Sequence, residues 1–255
     1  MTRGQAVAAL RAAGCVFAED EADVLIEAAR DDRTLGAMVG RRAAGEPLEQ
    51  VVGYADFCGV RVRLRPGVFV PRVRSELLVR LGTAELGPYA LVVDLCCGSG
   101  ALGLAVRHRV PGITLYAADL DPVAVACARD NLADPGRVHQ GDLFEALPAE
   151  LYGRIDLLLA NVPYVATRHI PFLPSEARDH EPRTALDGGD DGLTVFRAVA
   201  AGAARWLAPG GLLVSEITEA QTAAATTAAD GNGLTATVVT DDDLDARAIV
   251  ARRQR

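Results

Sequence analysis

The sequence predicts an α/β protein: a doubly wound, mostly parallel seven-stranded sheet, preceded by a small helical domain and a β-hairpin. From residue 71 onwards, short apolar runs alternate with longer segments of helical periodicity, as in a buried parallel sheet covered by helices. The last two apolar runs are joined by a short acidic turn with no room for a crossover helix, so they should pair antiparallel. At 255 residues the chain is long enough for one large α/β domain with a small appendage.

The N-terminal part is predicted to be a helical cap over residues 1–50, followed by a hairpin linker over 51–70 and the main domain over 71–255. The first 45 residues are rich in Ala and place apolar side chains at helical spacing. Asp20 is expected to cap the second helix, or Thr34 the third. Apolar and polar residues then alternate around Gly59, which is the pattern of a β-hairpin.

The main domain is predicted to alternate strands and helices. The predicted parallel strands are LVVDL (91–95), ITLYAA (113–118), a short one before Asp142, IDLLLA (155–160) and GLLVSEI (211–217). Helices are expected near 100–108, 121–132 and 192–207. The antiparallel pair is LTATVV (234–239) with ARAIVAR (246–252).

The composition excludes several classes of chemistry. The formal net charge is -8, which disfavours stable binding to nucleic acid, because such binding depends on basic side chains that neutralise phosphates. The chain contains no lysine, so all 26 basic residues are arginine; this excludes a pyridoxal Schiff base, a Walker-type phosphate-binding lysine and a Tyr-x-x-x-Lys pair. The five cysteines show no C-x-x-C spacing, so no metal site is predicted. With no long apolar run, a cytoplasmic monomer without membrane contact is expected.

A glycine-rich loop, DLCCGSGALG, follows the first strand of the main domain and opens a helix. Gly98 and Gly100 allow a sharp turn and a close approach to a ligand, and the helix N-terminus offers unpaired N–H donors. The spacing is G-x-G-x-x-G, so a dinucleotide site is one interpretation. Asp94 favours another, because a carboxylate there would repel a pyrophosphate but can balance the charge of a methionine amino group or a sulfonium.

Two further acids follow neighbouring strands and indicate a nucleoside cofactor. Asp119 ends the second strand, where an acid commonly binds ribose hydroxyls, and Asp142 follows the third, where it can accept from an adenine amino group. Either acid could instead only cap a turn. We therefore expect a site for S-adenosylmethionine, formed by Asp94, Cys96, Gly98, Gly100, Asp119, Leu120, Asp142, Leu143 and Asn161.

The fourth strand is followed by Asn161, Val162, Pro163 and Tyr164, which we predict to be the catalytic motif. The motif offers a side-chain acceptor, a backbone carbonyl and an aromatic face, the groups needed to hold a planar NH₂ group at its edge and to stack on its π system. It resembles the Asn-Pro-Pro-Tyr signature of amino methyltransferases, which act on glutamine amides or on exocyclic amines of nucleobases.

The segments 45–79 and 180–193 also resemble the protein N5-glutamine methyltransferases, whose best-known members modify peptide-chain release factors. The resemblance implies the class I methyltransferase fold, which is Rossmann-like, with S-adenosylmethionine as cofactor and a protein such as a release factor as substrate. It further implies that Asn161 and the Val162 carbonyl accept the glutamine N–H groups and that Tyr164 stacks. The segment that matches the border of the family's cofactor pocket comprises Pro71, Arg72, Ser75 and Glu76.

One departure from the family pattern is Val162, which stands where the family usually has proline. The carbonyl remains, and Pro163 still favours an extended conformation at Val162. Three alternative functions stay open: methylation of a nucleobase amino group after base flipping, methylation of a small molecule, and a binding module that has lost catalysis. The proline-containing segment 165–191 is expected to be a lid over the substrate, with Glu181 helping to shape the site.

Overall fold

The computed structural model describes residues 1–254, and the chain begins with four helices. They are α1 (Arg3–Ala12), α2 (Ala18–Ala28), α3 (Asp32–Ala43) and the short α4 (Leu48–Val52). The apolar faces of the first three pack on one another around the fully buried Leu10 and Leu25. The predicted cap is therefore helical, and its last helix runs two residues past the expected boundary at residue 50.

Both predicted N-caps of these helices were wrong. Asp20 lies inside the first turn of α2, where an acid interacts favourably with the helix dipole, and the N-cap position belongs to Phe17. The N-cap of α3 is Asp31, whose carboxylate accepts a hydrogen bond from the Thr34 backbone N–H. Val16 and Phe17, directly before α2, offer no side-chain cap, and the sequence alone did not show at which residue either helix begins.

The predicted hairpin is present as β1 (Tyr54–Phe57) and β2 (Val60–Arg63), which pair antiparallel. Its turn consists of Cys58 and Gly59, both with positive φ, at 48° and 78°. A Cβ carries a steric cost in this region, which glycine avoids and Cys58 does not. Asn131 of the main domain holds the hairpin, since its amide oxygen accepts from the Arg63 N–H and its nitrogen donates to the Arg63 carbonyl.

The main domain begins with α5 (Glu76–Thr83) and mostly alternates strands with helices before a final pair of strands. Its strands are β3 (Leu91–Leu95), β4 (Thr114–Asp119), β5 (Val138–Gln140), β6 (Ile155–Ala160), β7 (Leu207–Glu216), β8 (Leu234–Asp241) and β9 (Ala246–Arg253). Its further helices are α6 (Ala101–Arg109), α7 (Pro122–Asn131), α8 (Ser175–His180), α9 (Thr194–Trp206) and α10 (Thr222–Asp230). The helices α5, α8 and α10 were not predicted.

The seven main-domain strands form one sheet in the order β5-β4-β3-β6-β7-β9-β8. The first five in this order run parallel, while β9 pairs antiparallel with both β7 and β8. This confirms the predicted fold class, including the antiparallel end of the sheet. The order reverses between β3 and β6, which are neighbours although they are not consecutive, and in open α/β sheets ligands bind at this point.

Both faces of the central part of the sheet are covered, which explains why β6 is apolar without alternation from Leu157 to Ala160. In β6, Leu157 and Leu159 pack into one core and Leu158 and Ala160 into the other. Gly82 lets α5 approach closely, because a Cβ there would lie 2.9 Å from a methyl group of Leu157. Within residues 1–254, no helix is long and apolar enough to cross a membrane.

Candidate active site

A cavity of about 670 Å³ opens at the carboxyl ends of β3, β4 and β6. This is the edge of the sheet where its strand order reverses, and the volume lies within the range of small-molecule sites. The cavity wall brings together most of the residues that the sequence singled out. They are Cys96, Gly98, Asp119, Leu120, Asp142, Leu143, Asn161, Val162, Pro163 and Tyr164.

The glycine loop forms one side of this cavity, and its two glycines have different surroundings. Gly98 has φ of 55°, and a Cβ built there would meet no atom within 4 Å, so its bare backbone faces open space. Gly100 has φ of 77° and lies behind the wall, where a Cβ would come within 3.3 Å of Leu132. Gly98 therefore gives a ligand access to the backbone, and Gly100 allows α6 to approach the end of α7.

Asp119 lies at the end of β4 and is tied to the glycine loop. One carboxylate oxygen accepts from the Gly98 N–H at 2.8 Å and the other from the Asp121 N–H at 2.9 Å. Burial raises the pKa of this carboxyl above its ordinary value, and the backbone donors partly oppose that rise. Each oxygen has a further lone pair, so Asp119 can still accept a hydrogen bond from a ligand hydroxyl. Its neighbour Leu120 projects into the opening with 62% of its surface exposed.

Asp94 lies behind the cavity wall, at the end of β3, and only 1% of its surface is exposed. One oxygen accepts from the Gly103 N–H at 2.9 Å, while the other accepts no hydrogen bond from residues 1–254. Burial raises the pKa of the carboxyl to about 7, with a smaller contribution from Asp119. In this structure Asp94 thus holds the first turn of α6 under the glycine loop. That its charge also balances a cationic group of a bound cofactor stays a prediction.

Asp142 is the third acid of the predicted cofactor site and lies on the wall, like Asp119. It is exposed and follows β5, and the next residue, Leu143, has φ of 44°. Gly141 makes this turn possible, because a Cβ there would lie 3.0 Å from the Ala146 side chain. The three carboxylates are thus at different depths, with Asp94 buried, Asp119 partly buried and Asp142 exposed.

Asn161 lies at the end of β6, and its two amide atoms have different environments. The nitrogen donates to the Ser75 hydroxyl at 3.2 Å. The oxygen is buried and accepts no hydrogen bond from residues 1–254. An amide oxygen without a partner in a buried place carries a desolvation cost, which a ligand N–H would remove. Val162 follows with 2% of its surface exposed.

Glu216 lies at the end of β7 and connects three residues of this site, a role that sequence reasoning missed. Its carboxylate accepts hydrogen bonds from the Ser75 hydroxyl, the Tyr164 hydroxyl and the Arg74 Nε, each at 2.7 Å. Arg74 also donates to the Tyr164 hydroxyl at 2.6 Å. The available signal was an acid at the end of the otherwise apolar run GLLVSEI. Burial and the nearby Glu216 carboxylate raise the pKa of the Tyr164 phenol, so the phenol stays protonated.

The segment that precedes α5 contributes to the same wall. Pro71, Arg72, Arg74 and Ser75 lie on it, whereas Glu76 begins α5 and points to a separate cavity beside Cys58 and His108. Of the four residues that matched the border of the family's cofactor pocket, three are therefore on the wall. Arg74, which the sequence analysis did not assign, is a fourth.

The segment 165–191 covers one side of the cavity and is held to the rest of the chain by ion pairs on three of its acids, of which Asp191 pairs with Arg197 of α9. Glu181 has a fully buried side chain that pairs with Arg72 at 2.7 Å and accepts from the Val70 N–H at 3.1 Å. Glu176, in α8, pairs with Arg42 of α3 at 2.7 Å, and Arg42 also pairs with Glu21 of α2. The helical cap is thus linked directly to the cover of the cavity.

Comparison with known proteins places this geometry in a family. The sequence model of the family described as methyltransferase small domain matches residues 60–173 of this chain. A release factor glutamine methyltransferase of Moorella thermoacetica is 40% identical over 187 residues, which cover 70% of this chain and 64% of the relative. That of Cereibacter sphaeroides is 38% identical over 216 residues, which cover 83% of this chain and 75% of the relative.

A relative with a different named substrate matches equally well. The 4-amino-L-phenylalanine/4-methylamino-L-phenylalanine methyltransferase of Streptomyces pristinaespiralis is 40% identical over 190 residues, which cover 70% of this chain and 63% of the relative. The chain thus spans slightly less than two thirds of the length of several relatives that it matches.

Among solved structures, a methyltransferase of Pyrococcus furiosus superposes with a TM-score of 0.58 at 12% identity, covering 77% of this chain and 90% of that one. At this identity the superposition supports the fold alone, and the fold is the predicted class I methyltransferase fold. The sequence matches carry the assignment further, because they extend over most of this chain and, for one relative, over three quarters of its length. The chain belongs to the release factor glutamine methyltransferase family.

Proposed function

We propose that the chain is an S-adenosylmethionine-dependent N-methyltransferase whose acceptor is the side-chain amide nitrogen of a glutamine in a protein, with a peptide-chain release factor as the leading candidate. The observation that carries the proposal is the buried oxygen of Asn161, which accepts no hydrogen bond from residues 1–254 and belongs to the motif on the cavity wall. The family supports the same choice, since its relatives from Moorella and Cereibacter are named for this substrate.

The residues of the wall fit the proposed cofactor. Gly98 presents an unobstructed backbone, Asp119 retains free lone pairs for ribose hydroxyls, and the exposed Asp142 can accept from an amino group. Leu120 and Leu143 add apolar surface on either side of the opening. Bound there, S-adenosylmethionine would supply an electrophilic methyl group on a sulfonium.

The chain's own contribution is to bind and polarise the acceptor. An amide nitrogen is a poor nucleophile because its lone pair is delocalised into the carbonyl. The Asn161 oxygen and the Val162 carbonyl would accept its two N–H groups and stabilise the positive charge that develops during transfer. Tyr164 would contact the π face of the amide, and its phenol is kept protonated by its surroundings. No strong base is needed beforehand, because the nitrogen becomes acidic once it is methylated.

The test is to incubate the protein with labelled S-adenosylmethionine and a purified bacterial release factor, and to locate the label by mass spectrometry. The expected product carries one methyl group on a glutamine side chain. The matched control is the same release factor with that glutamine replaced by asparagine, which should stay unlabelled. A release factor that remains unlabelled while S-adenosylmethionine binds would contradict the proposed substrate and leave the proposed cofactor standing.

A second candidate acceptor is a free aromatic amine, favoured by the equally similar relative named for 4-amino-L-phenylalanine. Arg74 supports it, because its guanidinium lies on the cavity wall with its side chain 44% exposed and could pair with an amino-acid carboxylate. Offering 4-amino-L-phenylalanine and the release factor at equal concentration decides between the two. Exclusive methylation of the aromatic amine would replace the leading candidate.

The proposed place of action is the cytoplasm, where release factors work. The five cysteines are all free thiols, which is consistent with a reducing compartment.

A further inference from the structure

We propose that Ser75 and Glu216 are positioning residues that fix which way the Asn161 amide points, so that its oxygen and not its nitrogen faces the acceptor. The proposal rests on the proposed function in so far as it takes Asn161 to bind the acceptor. It extends that function to two residues that lie on other elements, Ser75 before α5 and Glu216 at the end of β7.

The direction of each hydrogen bond follows from what the groups can donate. The Glu216 carboxylate, paired with Arg74 at 2.7 Å, has no proton to give, so in the 2.7 Å contact between them the Ser75 hydroxyl must donate. The Ser75 oxygen is then left with lone pairs only. It can accept from Asn161 but cannot donate to it, and the Asn161 atom 3.2 Å away must be the amide nitrogen.

The consequence is an orientation that the side chain alone could not maintain. An asparagine amide has two nearly isosteric orientations, and its flipped form would direct N–H groups at the N–H groups of the acceptor. In this site the flipped form would also place the amide oxygen against the lone pairs of Ser75. The relay from Glu216 through Ser75 to Asn161 therefore favours the binding orientation, in which the amide nitrogen has a partner and the amide oxygen stays available to the acceptor.

Glu216 acts on the second side chain of the motif as well. It accepts from the Tyr164 hydroxyl and from Arg74, and Arg74 donates to the same hydroxyl. One carboxylate with 5% of its surface exposed thus orients both the amide acceptor and the aromatic ring, although neither Ser75 nor Tyr164 lies within 50 residues of it in sequence. Glu216 itself is not on the cavity wall, so it would contact neither the acceptor nor the cofactor, which makes it a positioning residue and not a catalytic one.

The experiment compares two buried serines, of which only Ser75 belongs to the relay from Glu216 to Asn161. Ser75→Ala removes the relay, whereas Ser215→Ala removes an equally buried hydroxyl that donates to the Ala160 carbonyl, directly before Asn161. Hydrogen exchange of the Asn161 side-chain NH₂, followed by NMR in the ligand-free protein, should speed up about tenfold in the Ser75→Ala variant, as for loss of one ordinary hydrogen bond. It should stay unchanged in Ser215→Ala. Unchanged exchange in Ser75→Ala would overturn the proposal.

Enzyme activity gives a second readout. A merely structural role of Ser75 would not lower kcat selectively while leaving the cofactor Kd unchanged. In Ser75→Ala, kcat should fall about tenfold while the cofactor Kd from calorimetry stays within twofold, and Ser75→Thr should restore kcat because it keeps the hydroxyl. Glu216→Gln should behave like Ser75→Ala in both readouts, since its carboxamide can donate to Ser75 and reverse the relay. Equal loss of kcat in Ser215→Ala would also overturn the proposal. If the wild-type protein methylates no acceptor, the proposed function fails, and the exchange experiment still decides the relay.

Discussion

Asn161 offers the most direct test at the scale of single residues. Replacing it by alanine removes the buried acceptor oxygen, while Gly98, Asp119 and Asp142 lie at the ends of other strands and keep their positions. We expect Asn161→Ala to lower kcat on the order of a hundredfold, which is typical for loss of one preorganised transition-state contact, and to leave the cofactor Kd within a few-fold. Single-turnover kinetics and calorimetry measure the two effects separately.

Val162→Pro is the complementary change, because it keeps the backbone carbonyl of the motif. Activity on the true acceptor should survive it, unless the branched side chain is there to shape the site for a different substrate. An Asn161→Ala enzyme that works at the wild-type rate would exclude the amide-binding role of this residue.

Asp94 gives a prediction in pH. Burial raises its pKa to about 7 in the folded chain, far above the value of about 3.8 expected when unfolded. The folded state therefore holds a proton that the unfolded state has released, and the free energy of unfolding should fall as pH rises between about 4 and 7. Asp94→Asn removes this dependence. The free energy of unfolding of the variant, relative to that of the wild type, should therefore rise by about 2 to 3 kcal/mol from pH 5 to pH 8.

Urea unfolding of the ligand-free protein at the two pH values measures this difference. The matched control is Asp156→Asn, because Asp156 also accepts from a backbone N–H, that of Leu91, but is exposed. A gain for Asp156→Asn as large as that for Asp94→Asn would show that the effect does not come from burial.

The role of a single residue could be predicted from the sequence when it follows from the residue's type and its position in an element. It could not be predicted when it depends on partners elsewhere in the chain. Asp119 and Asn161 each follow an apolar run and Asp142 follows a short predicted strand, so strand pattern and residue type placed them at one edge of the sheet. Glu216 gains its role from partners at Ser75 and Tyr164, and such pairings across the chain leave no mark in local spacing. Asp94 was assigned to the ligand for its charge, whereas its depth under the loop is set by packing.

At the scale of elements, central strands such as β3 and β6 were predictable because burial on both faces makes them nearly continuous apolar runs. The helix α8 was not, since its six residues, SEARDH, are too few to show a period and mostly polar. What holds α8 is tertiary: the ion pair between Glu176 and Arg42 of the helical cap, and the pair between Glu181 and Arg72 beyond its end. The conformation of the segment that covers the cavity is thus determined by tertiary contacts and not by its own helix propensity.

Breaking the link between α8 and the helical cap should loosen the cover without unfolding the chain. Glu176→Gln removes the pair with Arg42, which keeps Glu21 as its partner. An ion pair of this exposure contributes up to about 1 kcal/mol, so global stability should change little and hydrogen exchange in 175–180 should rise roughly two- to fivefold. The control is Asp179→Asn on the same helix, which breaks a pair with the adjacent Arg178 only. Equal exchange in both variants would argue against a link through Arg42.

For the whole molecule, the order of the strands concentrates the site at one edge, where β3 and β6 meet and the acids of β4 and β5 lie alongside. The antiparallel pair of β8 and β9 was also predictable, since the acidic turn between them is too short for a helix. The helical cap was predictable as a helical unit, but its ion pair with α8 was not, because it joins residues more than a hundred positions apart.

The overall charge gives a prediction that separates the protein acceptor from a nucleobase acceptor. The chain carries 34 acidic and 26 basic residues, and several of the arginines near the cavity, including Arg42, Arg72 and Arg74, are already paired with glutamates. Arginines that are already in ion pairs neutralise few phosphates, and the release of the counterions condensed on those phosphates is what drives non-specific binding to DNA or RNA. We expect labelled single-stranded and duplex 20-mers to bind with a Kd weaker than about 100 µM at 0.15 M salt, measured by fluorescence anisotropy.

Lowering the salt should tighten binding only slightly, because the slope of log K against log salt reflects the number of phosphates neutralised. Submicromolar binding with a steep salt slope would instead favour a nucleic-acid substrate, for which the same Asn161 oxygen would accept from a flipped base.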